Sequence, residues 1–113
     1  MHELSIAMGI VRIAEKELAK VNAQKVEQIE LEIGTLAGIE IDALNFVWSS
    51  AVKDSVLENA LKKITIVNGE AQCTDCDTIF KLDNTYDACP NCNSYLKNII
   101  KGKELTVRSL EVY

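Results

Sequence analysis

From Leu4 to about Val21, apolar residues recur every three or four positions: Leu4, Ala7, Met8, Val11, Ala14 and Leu18. Arg12, Glu15, Lys16 and Lys20 fall on the opposite side. This spacing predicts an amphipathic helix with one stripe turned to a core, and Asn22 is a suitable stop. Between Val26 and Ile33 the period drops to two. Ile29, Leu31 and Ile33 alternate with Gln28, Glu30 and Glu32, which is the pattern of a half-buried strand. Residues Gly34 to Gly38 read as a turn. Helical spacing returns from Ile41 or Asp42 to about Ser55 through Leu44, Val47, Trp48 and Ala51. Asp42 is placed to complement the positive start of that helix.

The second half is built from shorter pieces. Leu61 to Val67 reads as a strand with Ile64 and Ile66 on one face. Asn68-Gly69 suits a turn or bulge. Ile79 to Leu82 and Tyr95 to Ile100 are short strand candidates, and Lys101 to Lys103 turns the chain. Glu104 to Val112 alternates through Leu105, Val107, Leu110 and Val112, with Ser109 out of step. That last strand is too apolar to stand alone, so it is expected to return to the strands before residue 70. The expectation is an α+β fold: two helices on a three-stranded mixed sheet, with an inserted four-cysteine zinc-ribbon module on a two-stranded connection. Residues 1–69 with 102–113 form one domain, and residues 70–101 form the module.

All four cysteines lie in that module, as Cys73-Thr-Asp-Cys76 and Cys89-Pro-Asn-Cys92. Two thiolates two residues apart can face one ion from a tight turn, and two such turns complete a tetrahedron. Zn²⁺ in a closed, structural site is the reading this favours. Two disulfides fit the metal-like spacing poorly, and four sulfurs by themselves also accept iron, as in rubredoxin-like knuckles. The net charge is −5, which argues against a nucleic-acid partner. With hydrophobic residues at 48% and aromatic ones at 5%, the core should be aliphatic. No segment approaches the roughly 18 apolar residues of a membrane span, and the first residues lack a signal peptide's basic region and cleavage site. The expected location is the cytoplasm.

His2, the one histidine, stands between Met1 and Glu3. A free Met1 amine, the His2 amide nitrogen and the His2 imidazole can close fused chelate rings on one ion. Nitrogen-rich planar coordination favours Ni²⁺ or Cu²⁺ over Mg²⁺ or Ca²⁺, and Glu3 can add an oxygen or its amide nitrogen. The first N–H groups of a helix have no internal acceptor, so those of His2 and Glu3 are free to deprotonate. On the residues alone, an exposed terminal histidine without a ligand role is the favoured reading, because such histidines are common. No nucleophile stands beside a base, and no phosphate-binding or GTPase loop is present.

Four stretches together resemble the HypA/HybF family of hydrogenase maturation proteins. They are Met1-His2-Glu3-Leu4-Ser5, Leu31-Glu32-Ile33-Gly34 with Leu36, the two cysteine pairs, and Gly102-Lys103-Glu104-Leu105 with Ser109-Leu110-Glu111-Val112. The resemblance runs the length of the chain. It implies a metallochaperone, not an enzyme, that carries Ni²⁺ to the large subunit of [NiFe]-hydrogenase. It assigns nickel to Met1, His2 and Glu3, and zinc to Cys73, Cys76, Cys89 and Cys92. It further implies work with a HypB-like GTPase, in some organisms with urease maturation proteins, as a monomer or a homodimer. Some relatives carry histidines beside the cysteine pairs; this chain has none, so no role for them carries over.

Overall fold

The computed structural model describes residues 2–113. Its elements run α1 (Glu3–Val21), β1 (Val26–Gly34), α2 (Ile41–Val52), β2 (Leu61–Val67), β3 (Glu70–Cys73), β4 (Ile79–Lys81), β5 (Lys97–Lys101) and β6 (Leu105–Val112). Helix α1 stops at Asn22, which takes the left-handed conformation at φ 56° and returns its N–H to the Leu18 carbonyl. Asparagine tolerates that conformation better than most residues. The buried stripe of α1 is Ala7, Ile10, Val11, Ala14 and Leu18. Leu4 and Met8, expected on that stripe, are 47% and 46% exposed. Ile10 takes their place, so the stripe turns slightly around the helix from where the spacing put it.

Helix α2 buries Leu44, Trp48 and Val52. It ends three residues before Ser55, where the pattern had suggested. Asp54 adopts φ 62°, and the Ser55 hydroxyl donates to the Val52 carbonyl at 2.6 Å, which closes the last turn. Asp42 sits in the first turn as expected; the N-cap is Glu40.

One sheet has the order β2-β1-β6, with β1 in the centre. Thr35 N–H reaches the Val67 carbonyl at 2.9 Å. These residues follow or close the C-terminal ends of β1 and β2, so that pair is parallel, as a helical crossover requires. Lys25 and Tyr113 exchange both backbone bonds, at 3.2 and 3.0 Å, so β6 returns antiparallel. The sheet is therefore mixed, and the late strand does complete it. In β1 the residues Val26, Ile29, Leu31 and Ile33 are buried, each contributing on the order of 1.5–3 kcal/mol relative to exposure. As an edge strand, β2 buries no residue fully, and Ile66 is exposed instead of sharing a buried face with Ile64.

The chain forms two compact units. One comprises the residues through Leu31, Ile39–Ile64 and Val107–Tyr113. Helices α1 and α2 pack together within it, and its buried apolar residues come from both helices, from Val26, Ile29 and Leu31 of β1, and from Leu57. The other comprises Glu32–Gly38 and Thr65–Thr106. It holds a second sheet of order β4-β3-β5, antiparallel throughout. A two-stranded connection was expected here; the structure has three strands, because Glu70–Cys73 itself pairs on both sides. Four residues are too few for a period of two to stand out.

In this second unit three glycines cross closely. A Cβ on Gly34 would lie 1.9 Å from the Gly102 carbonyl oxygen, and one on Gly69 would lie 2.2 Å from that of Leu82. Leu36 N–H bonds the Gly102 carbonyl at 2.7 Å, and Gly34 N–H bonds that of Glu104 at 2.8 Å. Glycine is required where backbones approach this closely.

Candidate metal centre

Each cysteine pair sits on the same local fold. Asp77 N–H bonds the Cys73 carbonyl at 3.0 Å, and Cys73 N–H bonds that of Thr78 at 2.9 Å. In the second turn, Asn93 N–H bonds the Cys89 carbonyl and Cys89 N–H bonds that of Ser94, both at 2.8 Å. Asp77 and Asn93 hold φ of 62° and 63°. Each follows the second cysteine of its pair, and Asp and Asn are the non-glycine residues that best accept the left-handed region. The cysteine spacing alone did not single them out, although an Asp or Asn directly after each C-x2-C was the available signal.

Cys73 and Cys89 are buried, Cys76 is half-buried and Cys92 is exposed. Their four Sγ atoms lie within 4.8 Å of one another. Cys73 and Cys92 Sγ are 3.5 Å apart, and Cys76 and Cys89 Sγ are 3.7 Å apart. A tetrahedron with metal–sulfur bonds of about 2.3 Å has edges of about 3.8 Å. The donor set therefore fits one four-coordinate ion. Ala71, Phe80 and Leu82 join Cys73 and Cys89 in the buried cluster beneath it, so the metal site and the apolar core of this unit are one structure.

The sulfurs are not equivalent. Asn91 donates its side-chain amide to Cys76 Sγ at 3.5 Å, and the Thr78 hydroxyl lies 3.2 Å from it. Those contacts, Asn91 first, lower the Cys76 thiol to about 6. Cys92 is raised to about 12: the Ser94 N–H lowers it, but the crowding Cys73, Cys76 and Cys89 sulfurs outweigh that. Four such sulfurs cannot all carry charge without a cation between them, and binding a metal displaces the remaining protons.

The other predicted ligands are arranged differently. Met1 lies outside the described residues. His2 is exposed at the N-cap of α1, with φ −89° and ψ 96°. The first helical bond runs from Ile6 N–H to the His2 carbonyl at 3.2 Å. This leaves the N–H groups of His2 and Glu3 ahead of the ladder, as expected from a helix that begins at Glu3. Glu3 Oε2 accepts from Glu40 N–H at 3.2 Å. That bond, first, holds the Glu3 carboxyl below its ordinary value. The clasp joins the starts of α1 and α2 across 37 positions of sequence, and nothing in local spacing announces it. Among the described residues, the four cysteines are the one cluster of three or more metal-ligating side chains.

The family described as "Hydrogenase/urease nickel incorporation, metallochaperone, hypA" matches residues 1–112. The chain belongs to the HypA family. The Hydrogenase maturation factor HypA of Parabacteroides distasonis is 48% identical over 112 residues, covering 99% of this chain and 97% of its own. That of Francisella philomiragia is 42% identical over 110 residues, covering 97% of each. Among solved structures, the solution structure of the Ni metallochaperone HypA from Helicobacter pylori aligns with a TM-score of 0.72 at 27% identity, covering 99% of this chain and 97% of that one. HypA proteins form a family of metallochaperones and maturation factors, not of catalytic enzymes, and its field of action is nickel incorporation into hydrogenase and urease. No described helix is long and apolar enough to cross a membrane.

Proposed function

We propose that this HypA-family chain carries Ni²⁺ as cargo on its first three residues and delivers it for maturation of [NiFe]-hydrogenase. The Met1 amine, the His2 amide and imidazole nitrogens, and Glu3 supply the donors. The observation that carries this reading is the position of His2. It stands directly ahead of a helix that starts at Glu3, in a chain matched over residues 1–112 by a nickel-incorporation family. The N–H groups of His2 and Glu3 both lie ahead of the helical ladder, that of Glu3 within reach of its own carboxylate, so a metal can replace their protons. Protonation of the amine and imidazole releases the ion as pH falls, which suits a carrier.

Cys73, Cys76, Cys89 and Cys92 hold Zn²⁺. When bound, the ion cross-links the two knuckles and fixes the second sheet; with four thiolates it has no vacancy for cargo or substrate water. In this reading residues 1–69 with 102–113 form the nickel domain and residues 70–101 the zinc module. The chain is not itself an enzyme. A HypB-like GTPase supplies hydrolysis, the hydrogenase large subunit receives the metal, and urease maturation proteins are further partners. It acts in the cytoplasm, as a monomer or a homodimer.

Nickel titration of untagged protein tests the cargo site. His2→Ala, and separately a chain with residues added before Met1, should each lower Ni²⁺ affinity at least tenfold. Wild-type affinity in both would refute the site. Metal analysis and colour test the cage: zinc leaves the protein colourless, whereas iron in four thiolates absorbs visible light.

A further inference from the structure

Residues 34–36 and 102–104 contribute no donor to the cysteine cage, yet Leu36 reaches the cluster that holds it. Leu36 is half-buried and packs against the group formed by Ala71, Cys73, Phe80, Leu82 and Cys89. Its side chain fills the space beside two glycines. A Cβ on Gly69 would lie 2.8 Å from Leu36 Cδ1, and one on Gly102 would lie 2.9 Å from the same atom. Those glycines stand at the two ends of the segment that carries the cysteines. Gly69 directly precedes β3, and Gly102 directly follows β5.

The backbone around Leu36 ties both ends down. On the exit side, Leu36 N–H bonds the Gly102 carbonyl at 2.7 Å, and Gly34 N–H bonds that of Glu104 at 2.8 Å. On the entry side, Thr35 N–H bonds the Val67 carbonyl at 2.9 Å, and the Thr35 hydroxyl oxygen accepts from Gly69 N–H at 3.0 Å. The Gly69 carbonyl in turn accepts from Leu82 N–H at 2.9 Å, and Leu82 is a fully buried member of the cysteine cluster. A tripeptide far from the cysteines in sequence thus pins the entry and exit of the segment β3 to β5, and its one apolar side chain closes over the join.

An ion bound by four thiolates stabilises only the arrangement in which all four sulfurs converge. Whatever holds Cys73 and Cys89 in the cluster raises the population of that arrangement, and so the apparent affinity for the ion. The coupling is reciprocal, because a bound ion also holds the cluster against which Leu36 closes. We propose that Leu36 is a positioning residue for the four-cysteine cage, clamping the two ends of residues 70–101 so that metal retention and clamp closure stabilise each other. This rests on the cage holding zinc, as proposed above, and is independent of nickel.

The test uses full-length, zinc-loaded protein whose zinc stoichiometry has been established by metal analysis. Zinc release to an excess of chromogenic chelator is then timed. Leu36→Ala should release zinc roughly tenfold faster than wild type. Leu36→Met, which restores the apolar volume, should stay within about twofold of wild type. Val52→Ala, a core truncation in the first unit, should also stay within about twofold. In the wild-type chain, stripping the metal should speed hydrogen exchange at the Thr35 and Leu36 amides roughly tenfold or more, while exchange at Ile10 and Val11 of α1 holds. That measurement needs no variant, so it decides the matter even where Leu36→Ala does not fold. Wild-type release rates in Leu36→Ala, equal acceleration in Leu36→Met or Val52→Ala, or unchanged exchange at Thr35 and Leu36 would each overturn the clamp alone. A wild-type protein that binds no zinc would overturn the cage, and the clamp with it.

Discussion

Replacing Gly34 by alanine is the sharpest stability test the fold offers. A Cβ there would meet the Gly102 carbonyl oxygen at 1.9 Å, its carbon at 2.1 Å and Lys103 N at 2.7 Å. All three are backbone atoms, so no side chain can swing aside. Reaching the shortest separation real Cβ atoms show requires an opening of at least about 1 Å. Two hydrogen bonds span the same gap: Leu36 N–H to Gly102 O at 2.7 Å and Gly34 N–H to Glu104 O at 2.8 Å. Stretching both costs about 1 kcal/mol each, or more if a group is left unpaired. Overpacking adds about 1–3 kcal/mol. The sum is about 3–5 kcal/mol, a large share of the roughly 5–15 kcal/mol that holds a domain. Metal-loaded wild type and Gly34→Ala would be unfolded in urea, followed by far-ultraviolet circular dichroism. Gly9→Ala is the control. Its nearest neighbour is Arg12 Nη2 at 3.8 Å, so it should stabilise by about 0.5–1 kcal/mol through helix propensity alone. A Gly34→Ala protein within about 1 kcal/mol of wild type would refute the close-crossing argument.

Cys73→Ser should lose stoichiometric zinc and disorder the second unit, whose buried cluster contains Cys73. Emission from Trp48, the one tryptophan and part of the first unit, should stay near native; retained zinc would count against the four-thiolate cage. Asn93→Val should weaken metal retention while Asn93→Gly preserves it, because Asn93 holds φ 63° and a β-branched residue strains there by roughly 1–3 kcal/mol. Equal retention by the two variants would remove the backbone argument. The Glu3 carboxyl, followed by ¹³C NMR, should titrate below its ordinary 4.5, since Glu40 N–H bonds its charged form. A folded value below the unfolded one means the clasp is in place above the ordinary carboxylate range. It is lost as pH falls through the folded value, so a midpoint at or above 4.5 would mean that the clasp does not form.

What could be read from the residues depended on the range over which each feature is decided. The cysteine cage is decided within six residues. A pair of thiols, a polar residue able to turn left-handed, and a hydroxyl residue recur as Cys73 to Thr78 and Cys89 to Ser94, so the cage was legible before any strand was placed. Strand β1 was legible for a similar reason, because Ile29, Leu31 and Ile33 are buried in the register that its own alternation dictates. Where neighbours decide, local pattern failed. Leu4 and Met8 have the right spacing for a core stripe, yet both stay half-exposed and Ile10 is buried instead. Strand β3 carries too short a pattern to see, and it exists because β4 and β5 pair on both its sides. The start of α1 falls between these cases. A chelate at His2 and Glu3 could be proposed from the sequence because it needs only adjacent atoms. The bond that holds Glu3 to Glu40 could not, because it depends on where α2 begins. A carboxylate already engaged at the start of α2 is less available as a cargo ligand. In the nickel site proposed above, the Glu3 side chain is therefore a clasp to the start of α2 before it is a ligand, and the proposed site rests on backbone and imidazole nitrogens more than on that carboxylate.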